Sequence, residues 1–278
     1  MAKSTEWTYV GFDGGERVAR TWLNEDPWYV ALLCHGYGEH VGRYEYVADR
    51  LVAHGAIVHG VDHVGHGRSA GERALIADFE PVVEDFHVLD LAARAQNAEL
   101  PVVLVGHSMG GMIAARYAQV YADSLAALVL SGPVIGSWAV LPQLLALEEI
   151  PDAPIDTATL SRDEAIGEAY AADPLVWHGP FKRPTLEALS ATIGVIREAG
   201  RLGTVPTLWV HGEDDQLVPI EASRAGIAQT KGEHLTRKTY PGARHEIFNE
   251  TNKDEVLDDV TDFIDDQIGR DERAVPVL

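Results

Sequence analysis

The sequence is poor in the residues that mark several large classes of protein. One of its 278 residues is cysteine, Cys34, which excludes an internal disulfide framework and a cysteine-based zinc cluster. Basic residues are outnumbered 22 to 43 by acidic ones, and the resulting net charge of -21 disfavours nucleic acid as a partner. At this length, a chain that is 46% hydrophobic can bury a full core as one large domain.

Long apolar segments are also missing. No run reaches the roughly 18 apolar residues that a membrane-spanning helix needs, and MAKSTEWTYVGFDGGERVAR has no apolar signal-peptide region. Together with the single cysteine, these absences predict a soluble protein and favour the cytoplasm. No metal or other cofactor is predicted either, because no defined metal site has the spacing of Cys34, His35, His63 and His66.

What the sequence contains is an alternation of short apolar runs and helical patterns. TEWTYVGFDGGERVARTWLN predicts an antiparallel hairpin, after which apolar runs such as WYVALLCHG, AIVHGVDH and PVVLVGH alternate with helices. This pattern predicts a mostly parallel sheet with helices on both faces. The alternation is interrupted by short helical segments separated by prolines, so we predict an inserted cap over 133–203 and a core formed by 1–132 and 204–278.

Two serines lie in a G-x-S-x-G pattern, Ser69 in GRSAG and Ser108 in GHSMG. In hydrolases of the corresponding α/β fold, the nucleophile lies on a tight turn that joins a strand directly to a helix. Ser108 follows the apolar run VVLV after only two residues, and the helical pattern MGGMIAARYAQVYA begins at once. Ser69 lies in a glycine-rich loop with no helix directly after it. We therefore predict that Ser108 is the nucleophile.

A serine nucleophile needs an imidazole base and a carboxylate that orients the imidazole, and in this fold they follow in the order acid, histidine. Only His234 and His245 follow the late strand TLWVHG, and only His245 follows the last strand, at the carboxyl edge where catalytic loops lie. The acid is expected in the loop EDDQLVP. The residues alone do not decide which of Glu213, Asp214 and Asp215 in this loop is the acid.

Five motifs carry a resemblance to a known family: HGYGEHVGRY, DHVGHGRSAGER, GHSMGG, HGEDDQLVP and PGARHEIFNE. Together they resemble those of bacterial monoacylglycerol lipases, which belong to the α/β-hydrolase superfamily. GHSMGG is widespread in the superfamily, whereas the first two motifs are more specific. The resemblance covers nearly the whole chain except RDERAVPVL at its end. It implies the α/β-hydrolase fold with a cap, and cleavage of monoacylglycerols to glycerol and fatty acid through an acyl-enzyme on Ser108.

The resemblance also implies roles for further residues. It places the acid at Asp215, with Asp214 as the alternative, and treats Ser69 as part of a supporting turn. Two backbone N–H groups should bind the oxyanion of the tetrahedral intermediate. The resemblance implies that these are the N–H groups of Met109, directly after the nucleophile, and of Tyr37 in HGYGE.

Two segments are expected to contact a lipid ester substrate. By resemblance, Glu39 and Arg43 lie near the glycerol leaving group, with a solvated loop pair as the alternative. The apolar stretch VIGSWAVLPQLLAL, which includes Leu144 and Leu145, fits an acyl-chain wall or a lid for transient membrane contact.

Several alternative functions fit the same fold. A lysophospholipase, a general carboxylesterase or an acyltransferase would share the same three catalytic residues and differ only in substrate. Dehalogenases and epoxide hydrolases of this fold are disfavoured, because they carry aspartate where Ser108 stands. A non-catalytic ligand receptor is the alternative from another class, but it would not need all three positions filled.

Overall fold

The computed structural model describes residues 1–269, so the segment RDERAVPVL lies outside the described residues. Its centre is one sheet of eight strands. The strands are β1 (Ser4–Val10), β2 (Glu16–Trp22), β3 (Tyr29–Cys34), β4 (Ala56–Val61), β5 (Val102–His107), β6 (Ala127–Ser131), β7 (Thr207–Gly212) and β8 (Leu235–Tyr240).

Helices occupy most of the connections between the strands. None of them, within residues 1–269, combines the length and apolarity needed to cross a bilayer. The α-helices are α1 (Glu45–His54), α2 (Glu80–Gln96), α3 (Met109–Val120), α4 (Val140–Ala146), α5 (Glu164–Ala172), α6 (Arg183–Ala199), α7 (Ile220–Thr230) and α8 (Lys253–Ile268).

The sheet has the order β1-β2-β4-β3-β5-β6-β7-β8. β1 pairs antiparallel with β2, and β2 with β4, while all the other neighbours are parallel. Every residue of β3, β5 and β7 is buried, as expected for parallel strands with helices on both faces. The predicted α/β-hydrolase fold, with its antiparallel N-terminal hairpin, is confirmed.

Two apolar layers lie on opposite faces of the sheet. One contains Phe86 of α2 and Met112 of α3, and the other contains Leu51 of α1 and Phe263 of α8. The segment between β6 and β7 contains α4, α5 and α6, and Leu189 of α6 packs into the first layer. The division into a core and a cap over 133–203 stays a prediction.

Close contact between α3 and the sheet positions the turn that follows β5. A Cβ atom added at Gly110 would lie 2.1 Å from the backbone oxygen of Cys34, and one added at Gly106 would lie 2.5 Å from the oxygen of Gly110. Both distances are below van der Waals contact with backbone, which cannot move aside as a flexible side chain could. Glycine is therefore required for α3 to begin directly at the end of the strand.

This contact predicts opposite effects of alanine at two helical glycines. Gly110→Ala should lower the free energy of unfolding by about 1–3 kcal/mol or more, because the added methyl overpacks α3 against β3. Gly194→Ala is the matched control, since a Cβ at this position in α6 meets nothing within 4 Å. It should be neutral or stabilising, by up to about 1 kcal/mol. Urea denaturation of both variants measures the difference, and equal midpoints would contradict the prediction.

Candidate active site

Ser108 occupies a strained turn between β5 and α3. Its backbone has φ 57° and ψ -121°, a conformation that costs a non-glycine residue about 1–3 kcal/mol. The turn is held because the Ser108 N–H donates to the oxygen of Ser131 at 2.9 Å, while its carbonyl accepts from Met112 at 3.2 Å and Val134 at 3.1 Å. The predicted strand, turn and helix are all present, and they expose the hydroxyl at the carboxyl edge of the sheet.

The structure brings Ser108, His245 and Asp215 into one hydrogen-bonded chain. His245 Nε2 lies 2.9 Å from Ser108 Oγ, and His245 Nδ1 lies 2.7 Å from Asp215 Oδ2. The three residues follow β5, β8 and β7, so all lie at the carboxyl edge of the sheet. His245 and Asp215 are each only 5% exposed.

The loop after β7 selects one of the three acidic residues that the sequence left open. Asp215 is buried, and its Oδ1 accepts the backbone N–H groups of Leu217 at 2.9 Å and Val218 at 2.8 Å. Asp214 and Glu213 are exposed. The turn at 215–218 therefore directs only the Asp215 carboxylate at the His245 imidazole.

The pKa values of His245 and Asp215 shift in opposite directions. Burial lowers the pKa of His245, but the charge of Asp215 and its hydrogen bond raise it, and the net pKa lies above the ordinary value. Burial raises the pKa of Asp215, but the charge of His245 and hydrogen bonds from His211 and His245 lower it well below the usual range. Both shifts favour an imidazolium beside a carboxylate. Burial and the neighbouring His245 lower the pKa of His107 to about 3, so this ring stays neutral.

Two backbone N–H groups without a protein partner lie beside Ser108. Within residues 1–269, neither the N–H of Tyr37 nor that of Met109 is hydrogen-bonded to a protein atom, and both residues line the same cavity as the serine. The loop after β3 passes close to the nucleophile, because a Cβ added at Gly36 would lie 3.2 Å from Ser108 Cβ. This arrangement can receive an anion formed at the serine. The Tyr37 ring stacks on Phe181 at 4.7 Å and narrows the cavity.

The cavity in front of Ser108 has a volume of about 590 Å³, part of it open to solvent. Leu144 and Leu145 are not among the residues that line it; both are half-buried and pack against the apolar layer that contains Phe86 and Met112. Sequence patterns missed most of the wall, since its members come from separate segments. The apolar wall consists of Val134, Trp138, Ile155, Leu160, Phe181, Leu189, Leu217 and Val218.

One end of the cavity is charged. Glu39 Oε1 accepts from the N–H of Gly36 and the hydroxyl of Tyr44, both at 2.7 Å. Arg43 Nη1 donates to Glu39 Oε2 at 2.6 Å, and its two terminal nitrogens each donate to Glu246 at 2.8 Å. Glu39 and Glu246 are 4% and 5% exposed, so Glu39 and Arg43 are not a solvated loop pair. The sequence reasoning missed Glu246, whose only signal is its place directly after His245.

Ser69 and His234, the sequence alternatives to Ser108 and His245, lie away from the site. Ser69 is buried in the turn after β4, where its hydroxyl accepts the N–H of Val18 at 2.9 Å and donates to the oxygen of Asp62 at 2.5 Å. His234 is exposed and precedes β8. Neither can contact a substrate that lies against Ser108.

Two histidines that follow β3 and β4 hydrogen-bond to the backbone. His35 Nε2 accepts the N–H of His63 at 3.0 Å, so His35 Nδ1 carries the proton that it donates to the oxygen of Gly36 at 2.8 Å. His63 Nε2 lies 3.2 Å from the oxygen of His35. No three histidine, cysteine or acidic side chains in the described part of the chain are arranged to hold a metal ion.

Comparison with known proteins gives one consistent family. The family described as "Serine aminopeptidase, S33" matches residues 25–252. The chain is 39% identical over 276 residues to a monoacylglycerol lipase from Mycolicibacterium smegmatis, covering 95% of this chain and 99% of that protein. It is 33% identical over 253 residues to a monoglyceride lipase from Homo sapiens, covering 87% and 83%. Among solved structures, a carboxyl esterase from Bacillus coagulans in complex with glycerol superposes with a TM-score of 0.79 at 26% identity, covering 96% and 99%. This chain therefore belongs to the monoacylglycerol lipase family of the α/β-hydrolase superfamily.

Proposed function

We propose that the protein hydrolyses monoacylglycerols to glycerol and free fatty acid, with Ser108 as nucleophile, His245 as base and Asp215 as acid. The observation that carries the proposal is the hydrogen-bonded chain of these three side chains, at 2.9 Å and 2.7 Å. It lies at a cavity with a long apolar wall and one charged end, which matches a substrate with one acyl chain and a polyol.

The reaction proceeds through an acyl-enzyme. Ser108 Oγ attacks the ester carbonyl and gives its proton to His245 Nε2, while the N–H groups of Tyr37 and Met109 bind the oxyanion. His245 then returns the proton to the glycerol oxygen as the ester C–O bond breaks. A water molecule, deprotonated by His245, attacks the acyl-enzyme; His245 then gives this proton to Ser108 Oγ as the bond to the acyl group breaks and the fatty acid leaves. Asp215 holds the tautomer with Nδ1–H and stabilises the imidazolium in both steps.

The acyl chain lies along the apolar wall, which includes Trp138, Phe181 and Leu189. Residues 133–203 act as a cap that supplies much of this wall. Val140 and Leu147, at the two ends of α4, are 40% and 44% exposed and provide an apolar surface for transient membrane contact. Such contact would be hydrophobic, because a net charge of -21 repels anionic lipid. A cytoplasmic location stays a prediction.

The charged end of the cavity favours a neutral alcohol as leaving group. Glu39 and Glu246 carry two negative charges against one positive charge on Arg43. Each carboxylate can accept about four hydrogen bonds, and three are used here at each, so acceptors remain for the hydroxyls of glycerol. A phosphate-bearing leaving group would meet net negative charge, which disfavours a lysophospholipase.

Ser108 should be the one serine labelled by an alkyl fluorophosphonate, because the phosphonyl group mimics the tetrahedral intermediate. Peptide mapping after labelling identifies the residue. Ser108→Ala should abolish both labelling and hydrolysis. Ser69→Ala should keep both and lose about 1–2 kcal/mol of stability, since it removes hydrogen bonds of a buried turn. Hydrolysis that survives Ser108→Ala would refute the assignment.

Asp215→Asn should lower kcat by roughly 10⁴-fold with the fold intact, because an amide cannot stabilise the imidazolium or hold the correct tautomer. Asp214→Asn is the matched control, one residue away and exposed, and it should leave kcat within about twofold of wild type. Steady-state kinetics and circular dichroism measure both quantities. A reversed pair of results would move the acid to Asp214.

The substrate class is tested by a hydrolysis panel with one acyl chain throughout. We expect kcat/KM for a monoacylglycerol to exceed that for lysophosphatidic acid and for triacylglycerol by at least about 10²-fold. The first lacks only the phosphate of the second, and the third carries two further chains that the cavity must exclude. A short nitrophenyl ester controls for an active triad. Faster cleavage of the lysophospholipid would contradict the proposed substrate.

A further inference from the structure

A buried ion-pair network joins the loop that carries His245 to the loop that carries Tyr37. Glu246 follows His245 directly, and its carboxylate accepts two hydrogen bonds from Arg43, each 2.8 Å long. Arg43 also donates to Glu39 at 2.6 Å, and Glu39 accepts the backbone N–H of Gly36 at 2.7 Å. The residue after Gly36 supplies one of the two oxyanion N–H groups. The network therefore runs from the base to the oxyanion loop without a break.

The network is almost entirely buried, and each member is held from more than one side. The side chains of Arg43, Glu39 and Glu246 are 10%, 6% and 6% exposed. The Arg43 guanidinium lies 4.8 Å from the ring centre of Tyr170, and Asn249 donates to Glu246 at 2.8 Å. Separating the partners of a buried ion pair would leave uncompensated charges, which is unfavourable. The ion pairs therefore hold both loops in one arrangement.

The network also places charge near the base. Burial raises the pKa of Glu246, but Arg43 lowers it to about 2, so this carboxylate is ionised at neutral pH. Burial lowers the pKa of His245, Asp215 raises it, and the charges of Glu246 and Glu39 raise it further by smaller amounts. His107 stays neutral beside the base. The titratable and charged groups around the imidazole are Glu246 on its own loop, Asp215 and His211 from the loop after β7, His107 from the nucleophile turn, and Glu39 and Arg43 from the loop after β3.

We propose that Glu246 is a positioning residue for ester hydrolysis. Through Arg43 it fixes the histidine base relative to the oxyanion loop, and its charge favours the imidazolium that forms when Ser108 loses its proton. The inference rests on the proposed roles of Ser108 and His245. It adds a residue that acts through these groups and does not itself react.

Glu246→Gln tests the proposal, because it removes the charge and nearly preserves the shape. Without this negative charge the imidazolium is less favoured, so the pKa of His245 falls. The acid limb of the pH profile of kcat/KM should therefore move to lower pH, by roughly 0.5–1 unit. On the plateau, kcat should fall by about tenfold or more, because both loop alignment and imidazolium stabilisation are lost.

Glu250→Gln is the matched control. Glu250 is fully buried in the same loop, bonds to Arg162 at 2.8 Å and accepts the backbone N–H of Arg244, also at 2.8 Å. It does not line the cavity in front of Ser108. This variant should lower the Tm but leave the acid limb in place. If Glu246 had only a structural role, Glu246→Gln would likewise lower the Tm and leave the acid limb in place. That result would overturn the proposal.

Glu246→Asp keeps the negative charge but shortens the side chain, so it separates the effect of the charge from that of the hydrogen bonds to Arg43. It also provides a test if Glu246→Gln does not fold. The shorter carboxylate keeps the acid limb near its wild-type position but cannot span both nitrogens of Arg43, so kcat should still fall. Wild-type kcat in Glu246→Asp would overturn the coupling between the loops. Failure of the proposed function is distinguishable, because it would appear in the wild-type enzyme, as unlabelled Ser108 or as preferred cleavage of another substrate in the panel, whatever the variants do.

Discussion

The hydrogen bond between His245 Nδ1 and Asp215 Oδ2, at 2.7 Å, is the contact on which the rest of the site depends. With the imidazole proton on Nδ1, Nε2 faces Ser108 Oγ as a hydrogen-bond acceptor. The bond forms because β7 and β8 are parallel neighbours, and the loops after them therefore meet at one edge. In the turn at 215–218, two backbone N–H groups donate to Asp215 Oδ1, so Oδ2 is left to accept from His245.

Much of the fold followed from local pattern. Apolar runs that alternate with helices indicated a parallel sheet, and the context of the two G-x-S-x-G motifs separated Ser108 from Ser69. In the structure, Ser108 has the strained backbone of a strand-to-helix turn, whereas Ser69 bonds within a buried loop. The same five-residue pattern thus has two physical settings, and only the neighbouring elements distinguish them.

Other features could not be predicted, because they depend on where distant side chains point. The residues alone left three acidic residues open after β7, since all three lie in one loop and differ only in which way the turn directs them. The pairing of Arg43 with Glu246 joins residues 203 positions apart, which no periodicity reports. Leu144 and Leu145 are apolar and lie in the expected segment, yet they pack against the apolar layer of the core and do not line the cavity that Trp138 lines.

In the proposed reaction, Ser108, the N–H groups of Tyr37 and Met109, and the apolar wall act together on one substrate. The most direct measurement is a crystal structure of the enzyme after reaction with a long-chain alkyl phosphonate. We expect phosphorus bonded to Ser108 Oγ, the phosphonyl oxygen about 2.7–3.1 Å from the nitrogens of Tyr37 and Met109, and the alkyl chain beside Trp138 and Phe181. A phosphonyl oxygen directed away from both nitrogens, or a chain outside this wall, would contradict the claim.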